Sequence, residues 1–435
     1  MLPILFTFVS SKIKYGIMCD AGSSGTRAYI YTWESGRPIP NVHPPPDIAH
    51  SYRIKLSIPI STAVTNIDTI ETIFSQILNF CKGKIPEEYI EKTRFFVFAS
   101  AGMRLLPQKD QTMILDKTYE YLREHSPYKL KRRYIRVISG VEEGVYAWIS
   151  VNYLLGNLEN NTHTVGALDM GGASFQIAIE IPRSVKSASI HKVSVGQKNF
   201  NLFAHSYLGY GVDEGLRKIS RSISAVLDQS QIQNPCVQNG FHTKIESIDV
   251  EGTGNFSSCS RLTNAILLKS VEFTSISVPN LEYIDRFVAM SSIFYTNKFF
   301  NLSRSSTLKE LKTQVKDFCQ KNWSLLPEHI TNNSFSPTYC WKGTYQFNLL
   351  SRGYNFKDSN VVIDKVNKIN GVDLSWTVGS MLSEITEIEI DDQEKLTILD
   401  ILIAALSAVI CCIIIYIAGF KRFNWLYARK TRKML

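Results

Sequence analysis

YGIMCDAGSSGTRAYIYTW, residues 15–33, reads as a short apolar run, a glycine-rich turn opened by Asp20, and an alternating apolar stretch. That order predicts strand, tight turn, strand: a β-hairpin with a functional loop at its tip. The pattern returns later, where VGAL (165–168) leads into DMGGAS (169–174) and FQIAIEI (175–181). Two copies of strand, Asp-x-Gly, polar loop and strand predict a duplicated domain whose two loops face each other. Helical patterns at 66–82 and 111–125, the strand FFVFA (95–99), and a helix starting after Gly140 with Val145, Trp148, Ile149 and Leu155 apolar lie between the copies. Strands alternating with helices make this an α/β fold. The proline-rich stretch 38–46 reads as a surface loop.

At 435 residues the chain exceeds the size of one hydrophobic core, so two lobes are expected. Its formal charge of +9 suggests nucleic acid until the charges are located. Lys421, Arg422, Arg429, Lys430, Arg432 and Lys433 supply six of them in an acid-free tail. The remainder is close to neutral, and a nucleic-acid partner is excluded.

Ahead of that tail, ILIAALSAVICCIIIYIAGF (401–420) is free of charge. It is long enough to cross about 30 Å of hydrocarbon as a helix and is apolar on every face. Acids at Glu384, Glu387, Glu389, Asp391 and Asp392 precede it and the basic cluster follows, so the positive-inside rule places the tail in the cytosol. The N-terminal region then lies across the membrane, in the lumen or outside the cell, with the bilayer contacted through the C-terminal helix. Sequons at Asn160, Asn255, Asn301, Asn322 and Asn332 all lie on that side. Cys236 with Cys259, and Cys319 with Cys340, bracket short segments in the manner of local disulfides, without the spacing of a zinc site. Cys19 reads as a small core residue. The segment MLPILFTFVSS (1–11) is a poor signal peptide: either it works weakly or an upstream anchor precedes it.

An Asp-x-Gly loop has a physical logic. Glycine lets backbone N–H groups approach a phosphate closely, and Ser or Thr hydroxyls add donors. The aspartate cannot itself bind an anion; it holds a hard cation, directly or through water, that bridges phosphate oxygens. Loops headed by Asp20 and Asp169 would grip adjacent phosphates of one polyphosphate chain. Transfer to water then needs an in-line base, and either Glu142 or Glu143 at the helix start could serve; a helix-dipole role for the pair is the competing reading.

Five blocks in order resemble the apyrase, or ecto-nucleoside triphosphate diphosphohydrolase, family: DAGSSGTR (20–27), ASAGMRLLP (99–107), SGVEEGVYAWISVNYLLG (139–156), LDMGGASFQ (168–176) and YCWKGTYQFNLL (339–350). SYLGYGVDEGLRK (206–218) and SWTVGSML (375–382) support them. The resemblance implies two actin-like, ribonuclease-H-like lobes: residues 12–139 with a return at 367–392, and residues 140–366. A membrane helix over 396–420 and a basic tail over 421–435 follow. It implies hydrolysis of nucleoside di- and triphosphates with Ca2+ or Mg2+, and Glu143 as general base with Ser174 and Gln176 positioning the water. Ser23, Ser24, Gly25, Thr26, Ser100, Gly172, Ala173 and Ser174 match phosphate-loop positions. Asp20, Asp169 and Trp376 match residues around a water-held metal. Phe294 and Tyr295 fall where relatives offer an aromatic face to the base, although Phe294 reads equally as core. The segment SIPIST (57–62) and Phe175 depart from the family pattern. VYAWI and LDMGGAS, with few cysteines, are similar to the endomembrane branch, Golgi included, that acts on UDP and GDP. The loops alone would also suit an actin-like kinase or an exopolyphosphatase, and a silent glycosylated ectodomain would keep the same fold.

Overall fold

Alternating apolar residues pair the first strands as expected. In the computed structural model, β1 (Ile13–Gly22) and β2 (Gly25–Glu34) form an antiparallel hairpin with Asp20 opposite Arg27 and Gly22 opposite Gly25. Residues 13–37, 39–159, 162–182, 184–185, 189–275, 284–356 and 361–387 are described, with parts of a helix within 402–420. β3 (Arg53–Leu56), β4 (Arg94–Ala99) and β5 (Ile135–Val137) complete a sheet of order β3-β2-β1-β4-β5. β2 and β3 run antiparallel, and β4 and β5 run parallel to β1.

The second lobe repeats this plan. β6 (Gly166–Met170) and β7 (Ser174–Glu180) form its hairpin, flanked by β8 (Ile190–Val195) and β9 (Lys198–Leu208). A small sheet of β10 (Gln231–Asn234), β11 (His242–Ile245) and β12 (Ile248–Gly252) is inserted before β13 (Arg286–Ser291) and β14 (Val362–Lys365). The large sheet has order β14-β13-β6-β7-β9-β8. With β6 in the place of β1 and β13 in the place of β4, its antiparallel and parallel pairings match the first sheet, with β8 added at one edge. Duplication is therefore visible in the hydrogen bonding as well as in the motif.

Each sheet carries its own core. Ile17, Cys19, Phe95 and Val97 pack under α1 (Thr69–Cys81) and residues of the longer helix that follows β4; Leu168, Phe175, Ile177, Phe287 and Tyr345 centre the second core. α1 presents Ile70, Ile73, Phe74 and Ile77 at helical spacing, which is why this stretch buries one face. After β4 come a single turn, α2 (Ala101–Arg104), and α3 (Gln108–His125). α4 (Gly140–Leu154) starts on a capping box: Ser139 accepts from the Glu142 N–H at 3.1 Å, and Glu142 accepts from the Ser139 N–H at 2.7 Å. Helical residues from 376 onward cross α4 closely. The Gly379 N–H donates to Ser150 Oγ at 2.8 Å, and a Cβ at Gly379 would stand 2.1 Å from the Tyr146 carbonyl oxygen. The same segment reaches the first sheet through Thr377 and the Tyr31 hydroxyl, 2.9 Å apart.

Both expected disulfides form. Cys236–Cys259 ties the turn after β10 to the helix Phe256–Leu262, and Cys319–Cys340 joins the helices Leu308–Gln320 and Tyr339–Asn348. Cys19 is fully buried with a free thiol. Asn255, Asn301, Asn322 and Asn332 are exposed. The chain divides into two compact units, Met1–Ser383 and Glu384–Leu435. In the second, the described residues of 402–420 are helical, with Leu402, Leu406 and Ile413 exposed. Among the described residues no helix is long and apolar enough to cross a membrane. The N-terminal run 1–11, Asn160 and the basic cluster from Lys421 lie outside the described residues.

Candidate active site

The two hairpin tips face each other. A Cβ added to Gly172, in the β6–β7 tip, would lie 3.1 Å from Ser23 Oγ in the β1–β2 tip. Gly25 has φ +147°, and a Cβ there would sit 2.3 Å from the Leu56 carbonyl oxygen, so the first tip tolerates only glycine at this point. Thr26 is fully buried and donates its hydroxyl to the Ile58 carbonyl at 3.0 Å. Its hydroxyl buttresses the loop, and the departing segment 57–62 supplies the acceptor. Ser100 begins α2 at the end of β4, its N–H bonded to the Ala21 carbonyl at 3.2 Å. The second tip rests on α5 (Val212–Leu227), whose Asp213 and Glu214 N–H groups donate to Gly172 O at 2.9 and 3.1 Å.

Asp20 and Asp169 lie near the ends of β1 and β6, opposite Arg27 and Gln176 in the two hairpins, and are 6% and 5% exposed. Burial pushes the Asp20 carboxyl up, while Arg27 at 3.1 Å opposes the shift. Asp169 is pushed up to about 6 by burial, with the Asp20 charge adding to the rise. A hydrogen bond from Ser291, at the end of β13, works the other way. Ser291 adopts a left-handed φ of 58°, a conformation rare outside glycine, next to this aspartate. Among the described residues, buried Asp20 Oδ1 has no hydrogen-bond partner. Two buried carboxylates, one with an orphaned oxygen, suit a hard cation held largely through water. No cluster of three or more His, Cys, Asp or Glu side chains forms a metal site among the described residues.

Glu143, one turn into α4, is 7% exposed. Its Oε2 accepts from Arg104 Nη2 at 2.7 Å and from Gln176 Nε2 at 3.0 Å. Gln176 also donates to Ser174 Oγ at 2.6 Å and faces Ser206 Oγ at 3.0 Å. Arg104 spans to Ser174 Oγ at 3.3 Å and to the Ile138 carbonyl at 3.0 Å. Burial raises Glu143 to about 7; Arg104 opposes this, and Asp169 and Asp20 reinforce it. Glu142 differs. Burial alone would raise it, but the Ser139 N–H and Arg136 hold its carboxyl low, and the cap occupies it. Glu143, Ser174 and Gln176 therefore come together, within electrostatic reach of both aspartates.

Trp376 is buried, with its ring 6.5 Å from Tyr146 of α4. Phe294 and Tyr295 lie on the helix Ser292–Phe299 with ring centroids 5.2 Å apart; Phe294 is half-buried and Tyr295 exposed. Arg27, Arg104, Ser206 and Ser291 were not singled out from the sequence. Arg27 and Arg104 stand within the quoted blocks, and that position is the signal that could have found them.

Several known proteins resemble the chain over most of its length. The chain is 27% identical over 421 residues to nucleoside-triphosphatase ntp-1 of Caenorhabditis elegans, covering 89% of this chain and 76% of that protein. It is 30% identical over 409 residues to probable apyrase 5 of Arabidopsis thaliana, covering 86% and 82%. It is 29% identical over 430 residues to the Golgi apyrase of Schizosaccharomyces pombe, covering 85% and 75%. In fold it resembles the nucleoside triphosphate hydrolase structure from Neospora caninum, with TM-score 0.63 at 14% identity over 87% of this chain and 93% of that one. Residues 7–398 match the profile of the GDA1/CD39 (nucleoside phosphatase) family. With facing Asp-x-Gly tips and a buried glutamate beside them, the chain belongs to that family and is a nucleoside phosphohydrolase.

Proposed function

We propose that the protein removes the terminal phosphate of nucleoside di- and triphosphates, favouring UDP and GDP, on the lumenal side of an endomembrane to which its C-terminal helix anchors it. The observation that carries the reading is Glu143, held by Arg104 and Gln176 beside the two tips. The terminal phosphate lies between those tips, on the backbone N–H groups of Gly25, Gly172 and Ala173 and the hydroxyls of Ser23, Ser24, Ser100 and Ser174. Ser174 Oγ accepts from both Arg104 and Gln176, so its own proton is directed away from them, toward substrate or water. Glu143 orients the water and takes its proton, while Gln176 fixes the carboxylate. No covalent intermediate is needed. Asp20 and Asp169, with Trp376 alongside, would hold Ca2+ or Mg2+ through water; when bound, the ion supplies neutralisation of the polyphosphate charge.

Orthophosphate release measured on a nucleotide panel tests the substrate reading. UDP and GDP are expected to exceed CDP and ADP in kcat/KM; a flat panel would refute the preference. The anchoring rests on the charge-free run 401–420 between acids and bases, and on sequons confined to its N-terminal side. The name Golgi apyrase borne by a relative supports an endomembrane site. Protein made in microsomes should lose mass with glycosidase, and a C-terminal tag should be cleaved by added protease. An unglycosylated chain with a protected tag would invert the topology.

A further inference from the structure

Lys342 is a buried cation that forms no salt bridge among the described residues. It projects from the helix Tyr339–Asn348 and is only 9% exposed. A lysine this buried ordinarily sits against a carboxylate. Among the described residues no carboxylate lies within ion-pair distance of its ammonium. Its near neighbours are instead the faces of Phe335 and Tyr339, each 5.2 Å from Nζ to the ring centroid. Burial pulls Lys342 down, and Asp213 is the group that partly restores its charge.

The surroundings fix where this cation stands. Trp341, the preceding residue, donates its indole N–H to the Val212 carbonyl, which brings this helix against the start of α5. Asp213 follows Val212, and its Oδ2 would be 2.5 Å from a Cβ at Gly172. Lys342 is thus one carboxylate removed from the second tip. On the other side, Tyr339 and Tyr295 lie within electrostatic reach of each other, as do Tyr295 and Arg27. Lys342 therefore stands among aromatic rings close to the second tip, and the nucleoside end of a substrate held there by its terminal phosphate would run past it.

Resting on the reading that UDP and GDP are preferred, we infer that Lys342 is a specificity-determining residue whose ammonium donates to the carbonyl oxygen at C4 of uracil or C6 of guanine. An ammonium only donates. Cytosine and adenine present an amino group at the corresponding atom, so donor meets donor and the buried ammonium goes unsatisfied. That asymmetry creates a preference without any contact specific to one ring size.

The test is kcat/KM for UDP, CDP, GDP and ADP in the full-length wild type, Lys342→Met and Lys342→Arg, in detergent. Each ratio, UDP over CDP and GDP over ADP, is taken within one preparation, so the folded fraction cancels. In Lys342→Met both ratios are expected to fall roughly ten- to a hundredfold toward one, a scale set by one charged hydrogen bond. Lys342→Arg, which keeps a donor, should retain most of both. If the wild type prefers UDP and GDP and Lys342→Met keeps those ratios, the inference is overturned. An equal fall for all four nucleotides leaves both ratios unchanged and overturns it in the same way. A wild type with no preference overturns the substrate reading itself, a different result from either.

Discussion

Glu143→Gln should bind nucleotide almost normally and turn it over about two orders of magnitude more slowly, or worse, the scale of a lost general base. The substitution preserves shape and the capacity to accept from Arg104 and Gln176, and removes only the proton acceptor. Binding groups on the two tips are untouched, so KM should move little while kcat collapses. The pH profile adds a second check. Burial and the charges of Asp169 and Asp20 place Glu143 at about 7 in the metal-free protein, and a base works only when deprotonated. Turnover should therefore climb as pH rises toward neutrality, and a bound dication should shift that limb to lower pH by stabilising the carboxylate. The Gln variant should lose the limb along with the rate. Near wild-type phosphate release from Glu143→Gln would remove this residue from the mechanism. Glu142 is a poor substitute because its carboxylate is engaged by the Ser139 N–H at 2.7 Å and by Arg136 at 2.6 Å.

EDTA should abolish activity, and Ca2+ or Mg2+ should restore it. Asp20→Ala and Asp169→Ala should each prevent the rescue, a loss larger than that of the Gln variant if both grip and charge neutralisation fail together. The reason lies in the metal-free electrostatics. Burial raises the proton affinity of both carboxylates, the Asp20 charge adds to the rise at Asp169, and among the described residues Asp20 Oδ1 has no donor to satisfy it. Bringing a polyphosphate beside them without a cation would add repulsion to that cost. Ser291 and Arg27 cover only part of it. Full activity in chelator would refute the metal-bridged reading, and rescue of either alanine variant would remove that aspartate from it.

The sequence disclosed the local parts of this molecule well. Hairpins expected from 15–33 and 165–181 appear as β1–β2 and β6–β7, because alternation and glycine turns are set by neighbours in the chain. The helix expected over 111–125 spans Gln108–His125, and the one over 66–82 spans Thr69–Cys81. Side-chain destinations were less legible. Arg104 meets Glu143 across 39 residues, and Gln176 meets Ser206 across 30, partnerships made only by sheet order and lobe packing. Thr26 shows the same limit from the other direction. Its motif gives no sign of the path of the 57–62 segment, whose backbone carbonyl at Ile58 takes the Thr26 hydroxyl. The inserted sheet β10–β12 carried no repeat signal at all.

The crossing at Gly379 has a mechanical consequence. Ser150 and Tyr146, which meet that glycine, lie on the same helix as Glu143, so the crossing is a fulcrum and the first turns of α4 are its lever arm. From Ser150 to Glu143 the arm is roughly 10 Å at the helical rise per residue. Rocking it by a few degrees would carry the carboxylate about 1 Å, a displacement that can cost a reaction roughly a hundredfold. Gly379 would thereby help set the aim of the carboxylate, and with Glu143 as the base a tilt of the segment beginning at 376 would slow the reaction.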